Sequence, residues 1–245
     1  MFHRLGHYFI FIGKLFRNRE SFKTYYKLTL EECSRIGIGS LFLFTLVSTF
    51  MGMVTTVQTA FNMVSPLIPD FVIAQVVREM TVLELAPTVM AIIYAGKVGS
   101  SMAGGIGTMR ITEQIDALEV MGINSISYLV FPKIIASMMV YPMLVIFSGF
   151  CSLLGGYLIG TLTGVITPTD YIYGIRYSYQ EFTVIFALIK SIVFAFLVAS
   201  ISSYKGYYTQ GGALEVGHSS TQAVTQSVIA VLLADYFLAQ LLLGK

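Results

Sequence analysis

The chain has 245 residues, 56% of them hydrophobic and only 11% charged, with a mean hydropathy of +0.76. Soluble domains carry about 25% charged residues, so the composition excludes an ordinary soluble domain and points to an integral membrane protein. The net charge of +2 is too small to argue for nucleic acid as a partner.

Residues 1–35 mix Phe9, Ile10, Ile12, Leu15, Phe16 and Phe22 with seven basic residues: Arg4, Lys14, Arg17, Arg19, Lys23, Lys27 and Arg35. This pattern predicts an amphipathic helix lying in the inner-leaflet interface, or a plain juxtamembrane anchor. The segment is too long and too charged for a secretory signal, and it has no cleavage pattern. Crossing a ~30 Å hydrocarbon core takes about 20 apolar residues in a helix, and five stretches qualify. The first runs from Ile36 to Pro69, with its helix ending near Asn62. The second covers Leu85–Met109, interrupted by Lys97. The third covers Ile134–Thr169, ending near Val165. The fourth covers Phe182–Tyr204 with Lys190 inside, and the fifth Ser219–Gly244 with Asp235 inside. Backbone polar groups in lipid bond only within the protein, so these are helices, and no alternating barrel pattern is present.

Basic residues set the orientation. The seven at the N-terminus with Arg110, Lys133 and Lys205 make ten on one side, against Arg78, Arg176 and Lys245 on the other. An odd number of crossings follows, with the N-terminus cytoplasmic and the C-terminus outside.

The segment Glu113–Gly122 falls on the cytoplasmic side between two apolar runs. Ile111, Ile115, Leu118 and Met121 recur at helical spacing, and Glu113, Asp116 and Glu119 line another face. A helix resting on anionic lipid carries Lys and Arg instead. The acidic face therefore suits a soluble protein partner, such as a motor, unless the segment is an ordinary surface helix. The predicted fold is an all-α integral membrane protein: an N-terminal interfacial amphipathic helix, about five transmembrane helices and a short cytoplasmic coupling helix. It forms one domain over 1–245, with an interfacial region 1–35, a bundle 36–245 and the coupling segment at about 110–128.

Two small-residue stripes mark the second span, Ala95/Gly99/Ala103/Gly107 and Gly96/Ser100/Gly104. The third span has Gly156, Gly160 and Gly164. Such stripes let helix backbones approach closely, within one chain or across a dimer. Charges in the apolar layer are costly, about 2.5–3.5 kcal/mol each on insertion scales. Glu84, Lys97, Lys190 and Asp235 are thus candidates for a polar interior or a headgroup contact. Lys97 and Lys190 either pair with acids or snorkel to an interface. At the outer end of the first span, Thr55, Thr56, Gln58, Thr59 and Asn62 add neutral polar groups, suited to an amphiphile more than to an ion. Cys33 and Cys151 make no disulfide or metal framework, and His3 and His7 have no acid or cysteine beside them in sequence. No nucleophile motif and no phosphate-binding loop is present, since Gly96-Lys97 is followed by Val98. The chain needs no cofactor or metal of its own, and any ATP that drives it binds another subunit.

Several ordered blocks resemble the MlaE family of ABC-transporter permeases, the membrane subunits of MCE-type lipid transport systems. Leu83-Glu84-Leu85-Ala86-Pro87 resembles the family's R-E-L-G/A-P, and Ala95–Ser100 its A-G-R-x-G-S. Thr112–Leu118 resembles T-E-Q-I-x-A-L of the coupling helix. Met121-Gly122, Val130–Lys133, Gly206–Ala223 and Asp235-Tyr236 continue the match. Leu83 and Lys97 stand where the family has Arg, and Gly104-Gly105 where many members have Ala-Glu. The resemblance implies a homodimer in a bacterial inner membrane, two ABC ATPase subunits, an MCE-domain periplasmic protein and phospholipid as cargo. It implies ATPase coupling through Glu113, Gln114, Asp116, Ala117, Leu118, Glu119, Met121 and Gly122. It also implies lipid contacts at Gln58, Asn62, Met63 and Glu84, beside Thr55. The bottom-up alternatives are a stand-alone secondary transporter, which the absence of inverted repeats disfavours, and a non-transporting scaffold.

Overall fold

The computed structural model describes residues 2–15, 21–63 and 69–242. Phe16, Arg17, Arg19, Lys245 and the side chains of His3 and Arg4 lie outside the described residues. In chain order the helices are α1 (Phe2–Lys14), α2 (Phe22–Asn62), α3 (Phe71–Met80), the π-helical segment π1 (Thr81–Val89), α4 (Met90–Tyr94), the π-helical segment π2 (Ala95–Gly99) and α5 (Ser100–Ile111). Then come α6 (Gln114–Val120), α7 (Ser125–Leu162), α8 (Pro168–Arg176), α9 (Glu181–Tyr207) and α10 (Ala213–Leu242). No strand occurs among the described residues. Four of these helices, α2, α7, α9 and α10, are long and apolar enough to cross a membrane. The chain is a multi-pass membrane protein.

The second predicted span takes a different form. It lies within a run that stays helical from Phe71 to Ile111 but alternates α and π winding. Pro87 sits inside π1. A proline offers no N–H to the carbonyl four residues back and crowds it, so uniform α winding is disfavoured there. Local widening is the alternative, and π turns concentrate at functional sites. The helices also start earlier than predicted. α2 begins 14 residues before Ile36 and α7 nine before Ile134. Hydropathy stops at the first charge, but backbone hydrogen bonding continues through it.

The chain divides into two compact units. One comprises Met1–Gly39, Ala91–Tyr141 and Ile192–Lys245, the other Ser40–Met90 and Pro142–Ser191. In the first, α10 packs on α5 and π2. The predicted stripe Ala95, Gly99, Ala103 and Gly107 is buried, whereas Gly96 is exposed and Gly104 half-buried. Phe11 of α1 is fully buried against the rings of Tyr204, Tyr207 and Tyr208.

In the second unit α2 and α7 cross at two glycines. A Cβ on Gly52 would lie 1.8 Å from the Ser152 carbonyl oxygen, and one on Gly155 2.2 Å from that of Thr49. Only glycine at both places permits this approach. Helix α3 packs on α8 through Ile73, Ala74, Val77 and Tyr171. Gly164, placed by spacing in the small-residue stripe, instead adopts φ +69° and terminates α7. Thr167 starts α8 by accepting the Asp170 N–H, with Pro168 at the first helical position.

Candidate functional site

Two clusters of polar groups stand out, one in each unit. The first surrounds α6. Glu113 precedes this helix in a left-handed conformation, φ 59°, a geometry that costs an L-residue about 1–2 kcal/mol. At the other end, Gly122 (φ +79°) donates to the Glu119 carbonyl and Ile123 to that of Leu118. This paired closure is the Schellman turn, which requires the positive φ that glycine adopts without strain. Helix α6 is thus a seven-residue rod with fixed ends.

The predicted faces are only partly realised. Ile115 is fully buried and Leu118 half-buried, but Met121 is 66% and Val120 89% exposed. Two of the three acids, though exposed, are tied to neighbouring helices. Arg110 Nη1 donates to Asp116 Oδ1 at 2.6 Å, and the Arg110 guanidinium lies 6.0 Å from the Tyr207 ring. Glu119 Oε1 accepts from Ser125 Oγ and from Tyr207 Oη, each at 2.8 Å. These two hydroxyls hold the Glu119 carboxyl below the usual carboxylate range, outweighing its partial burial. The surface that α6 offers is an apolar tip, Val120 and Met121, flanked by exposed Glu113, Gln114, Asp116, Ala117, Glu119 and Gly122. A cavity of about 490 Å³ lies behind α6, lined in part by Lys14, Arg110, Asn124 and Tyr208.

The second cluster centres on π1. Lys190 of α9 is fully buried. Its ammonium donates to the Leu83 carbonyl and to Glu84 Oε1, each at 3.0 Å. The Leu83 carbonyl is the one that Pro87 leaves without an α-helical donor. Thr88 Oγ1 donates to the other carboxylate oxygen of Glu84 at 2.9 Å. The Glu84 side chain remains 48% exposed. The pair settles the open choice for Lys190 in favour of an acid partner. Lys97, half-buried, instead donates to the Gly39 carbonyl. Asp235 is half-buried on α10.

The outer end of α2 is less polar than its sequence. Thr55 and Thr56 turn their hydroxyls back to the Met51 and Gly52 carbonyls. Gln58 and Asn62 are exposed. Met63 packs on the cluster of Ile73, Ala74, Val77, Ile166 and Tyr171. Glu84 meets Lys190 and Thr88, and among the described residues no hydrogen bond joins it to Gln58 or Asn62.

Two features escaped the sequence. An apolar cavity of about 270 Å³ is walled by Val82 and Ala86 of π1, Ile146 and Phe150 of α7, and Val184 and Ala187 of α9. Arg78, assigned to a loop by hydropathy, is buried. It donates from Nη1 to the Ile175 and Tyr177 carbonyls at 2.7 and 2.8 Å, closing the C-terminal end of α8.

Comparison with known proteins shows the family. The family model described as Permease MlaE matches residues 29–241. A probable ABC transporter permease protein of Rickettsia bellii is 37% identical over 89% of this chain and 83% of its own. One from Synechocystis is 35% identical over 98% and 91%. The chloroplastic protein TRIGALACTOSYLDIACYLGLYCEROL 1 of Arabidopsis thaliana is 33% identical over 89% of this chain and 62% of its own. The match covers both the α6 segment and the π1–α9 cluster, and the chain belongs to the MlaE permease family.

Proposed function

We propose that this chain is the permease subunit of an ABC transporter that moves phospholipid between the inner and outer membranes, driven by a separate ATPase. The observation that carries the reading is α6: a short rod, fixed at both ends, presenting an apolar tip outside the long apolar helices. The relatives named as ABC transporter permeases support an ATPase as the occupant of that tip. Lipid as cargo is supported by the apolar cavity, walled in part by the π1 segment that also carries the half-exposed Glu84, and by the chloroplast relative, whose name is that of a glycerolipid.

In this reading two permeases form a homodimer in the bacterial inner membrane, two ATPases dock on their α6 tips, and an MCE-domain protein receives lipid on the periplasmic side. The helical run 71–111 makes the fifth crossing. The N-terminus and α6 are then cytoplasmic and the C-terminus periplasmic, consistent with the basic residues. Gln58, Asn62, Met63, Thr55 and Glu84 border the lipid. The chain itself hydrolyses nothing.

Mild-detergent affinity purification from the native membrane tests this, with protein and lipid mass spectrometry of what accompanies the chain. The expected result is a stoichiometric ABC ATPase, an MCE-domain protein and retained phospholipid. A chain that carries no ATPase even after crosslinking overturns the reading.

A further inference from the structure

We infer that the Glu119–Ser125–Tyr207 cluster is the joint that transmits displacement of α6 to the transmembrane helices. The inference rests on the reading of α6 as the ATPase-docking element and names the residues that make docking productive.

The positions of the three residues carry the argument. Ser125 is the first residue of α7 and Tyr207 the last of α9. Glu119 stands in the last turn of α6. One carboxylate oxygen therefore ties a rod of seven residues to the ends of helices 38 and 27 residues long. The three oxygens form a triangle, Ser125 Oγ being also 2.8 Å from Tyr207 Oη. Two hydroxyl protons serve three edges. Both point to the carboxylate, which makes the two bonds to it charge-assisted.

Tyr207 is held in this direction by its ring, which packs 5.7 Å from Phe11 and 5.2 Å from Tyr208 between centroids. Ser125 is 2% exposed. The other polar tie of α6, Asp116 to Arg110, leads to α5. Helices α7 and α9 both contribute walls to the apolar cavity, at Ile146 and Phe150 and at Val184 and Ala187. A push on the exposed Val120–Met121 tip thus reaches the cavity-lining helices through the Glu119 carboxylate. Without the two hydroxyls only the short turn 121–124 would join α6 to α7, and among the described residues no hydrogen bond would join it to the end of α9.

The experiment compares wild type, Tyr207→Phe and the double variant Ser125→Ala/Tyr207→Phe. Each permease is purified with its native ATPase and reconstituted in vesicles of phosphatidylethanolamine and phosphatidylglycerol. ATP hydrolysis and ATP-dependent movement of a fluorescent phosphatidylethanolamine are read together. Tyr207→Phe keeps the packed ring and provides the test on its own if the double variant does not purify. The expected result is a complex with its full complement of ATPase that hydrolyses ATP but moves about tenfold less lipid per ATP, the factor for one lost charge-assisted hydrogen bond. Glu119→Gln, which still accepts but without charge, falls between wild type and the double variant. A wild-type ratio of lipid to ATP in Tyr207→Phe overturns the joint. Loss of the ATPase from the variant complex overturns it too, making the cluster a docking determinant. No lipid movement by the wild-type complex overturns the function proposed above instead.

Discussion

Replacing Lys190 by Met removes the ammonium that holds π1 while keeping an unbranched stem of similar length. Lys190 is fully buried and donates to the Leu83 carbonyl and to Glu84. The two losses differ in size. The Leu83 carbonyl, on a half-buried residue, faces a proline four residues on, and an acceptor that loses its donor in surroundings closed to water costs about 1–3 kcal/mol. Glu84 is about half exposed and keeps the Thr88 bond, so water replaces the ammonium and the lost ion pair costs about 0–1 kcal/mol. The sum, about 1–4 kcal/mol, lies mostly below the 3–5 kcal/mol typical when a fully buried pair is broken. Unfolding in mixed micelles of mild detergent and dodecyl sulfate measures it, with the helices in a micelle in both states. The reasoning requires Lys190→Met to cost more than Glu84→Gln, because the carbonyl and not the carboxylate is the group left dry. Equal costs, or a stabilised Lys190→Met, would refute it.

Three further outcomes follow from the same geometry. Arg78→Ala strips the donor from two carbonyls at the end of α8 and is expected to cost about 2–4 kcal/mol in that assay, with Arg78→Lys recovering less than half. Gly122→Val forces a β-branched residue to φ near +79°, costing about 1–2 kcal/mol locally, and is expected to abolish ATPase co-purification while the protein still inserts. The Glu119 carboxyl is depressed, so its contribution is present above the ordinary carboxylate pKa and disappears only as pH falls through its lower folded value. The stability difference between wild type and Tyr207→Phe should therefore hold from neutrality to about pH 5 and shrink only below about pH 4.3, as thermal melting across pH would show; a difference that grows on acidification contradicts the triad.

The long helices were legible because lipid leaves the backbone no other way to satisfy its bonds, and hydropathy alone finds 18-residue windows within them. The α6 segment was legible from its spacing, since Ile115 had to be buried. The partners of its acids were not. The partners of Asp116 and Glu119 include Arg110 and Ser125, six residues away, and Tyr207, 88 away. Periodicity reports which side chains share a face, and it is silent on which of them a neighbouring helix engages. The same distance hid the pairing of Lys190 with Glu84 across 106 positions and of Arg78 with the α8 carbonyls across 97. The π winding was unreadable for another reason. Pro87 signals a disturbed carbonyl, but whether the helix kinks, breaks or widens depends on what else reaches that carbonyl, here the Lys190 ammonium.

The three cations Arg78, Lys97 and Lys190 share one role. Each donates to backbone carbonyls: Ile175 and Tyr177 from Arg78, Gly39 from Lys97, Leu83 from Lys190. A cation so engaged is poorly placed to select an anionic headgroup. Of the residues proposed to border the lipid, the exposed polar groups are then Gln58, Asn62 and one face of Glu84, two neutral and one negative. Recognition of this kind favours the glycerol and ester portion of a phospholipid over its charge. The expected consequence is weak discrimination between phosphatidylethanolamine and phosphatidylglycerol in competition for the purified protein. A preference for the anionic lipid beyond about tenfold, worth 1.4 kcal/mol, would mean that a cation is released from its carbonyl when lipid binds. In that case Lys190→Met, rather than Gln58→Ala, would remove the preference.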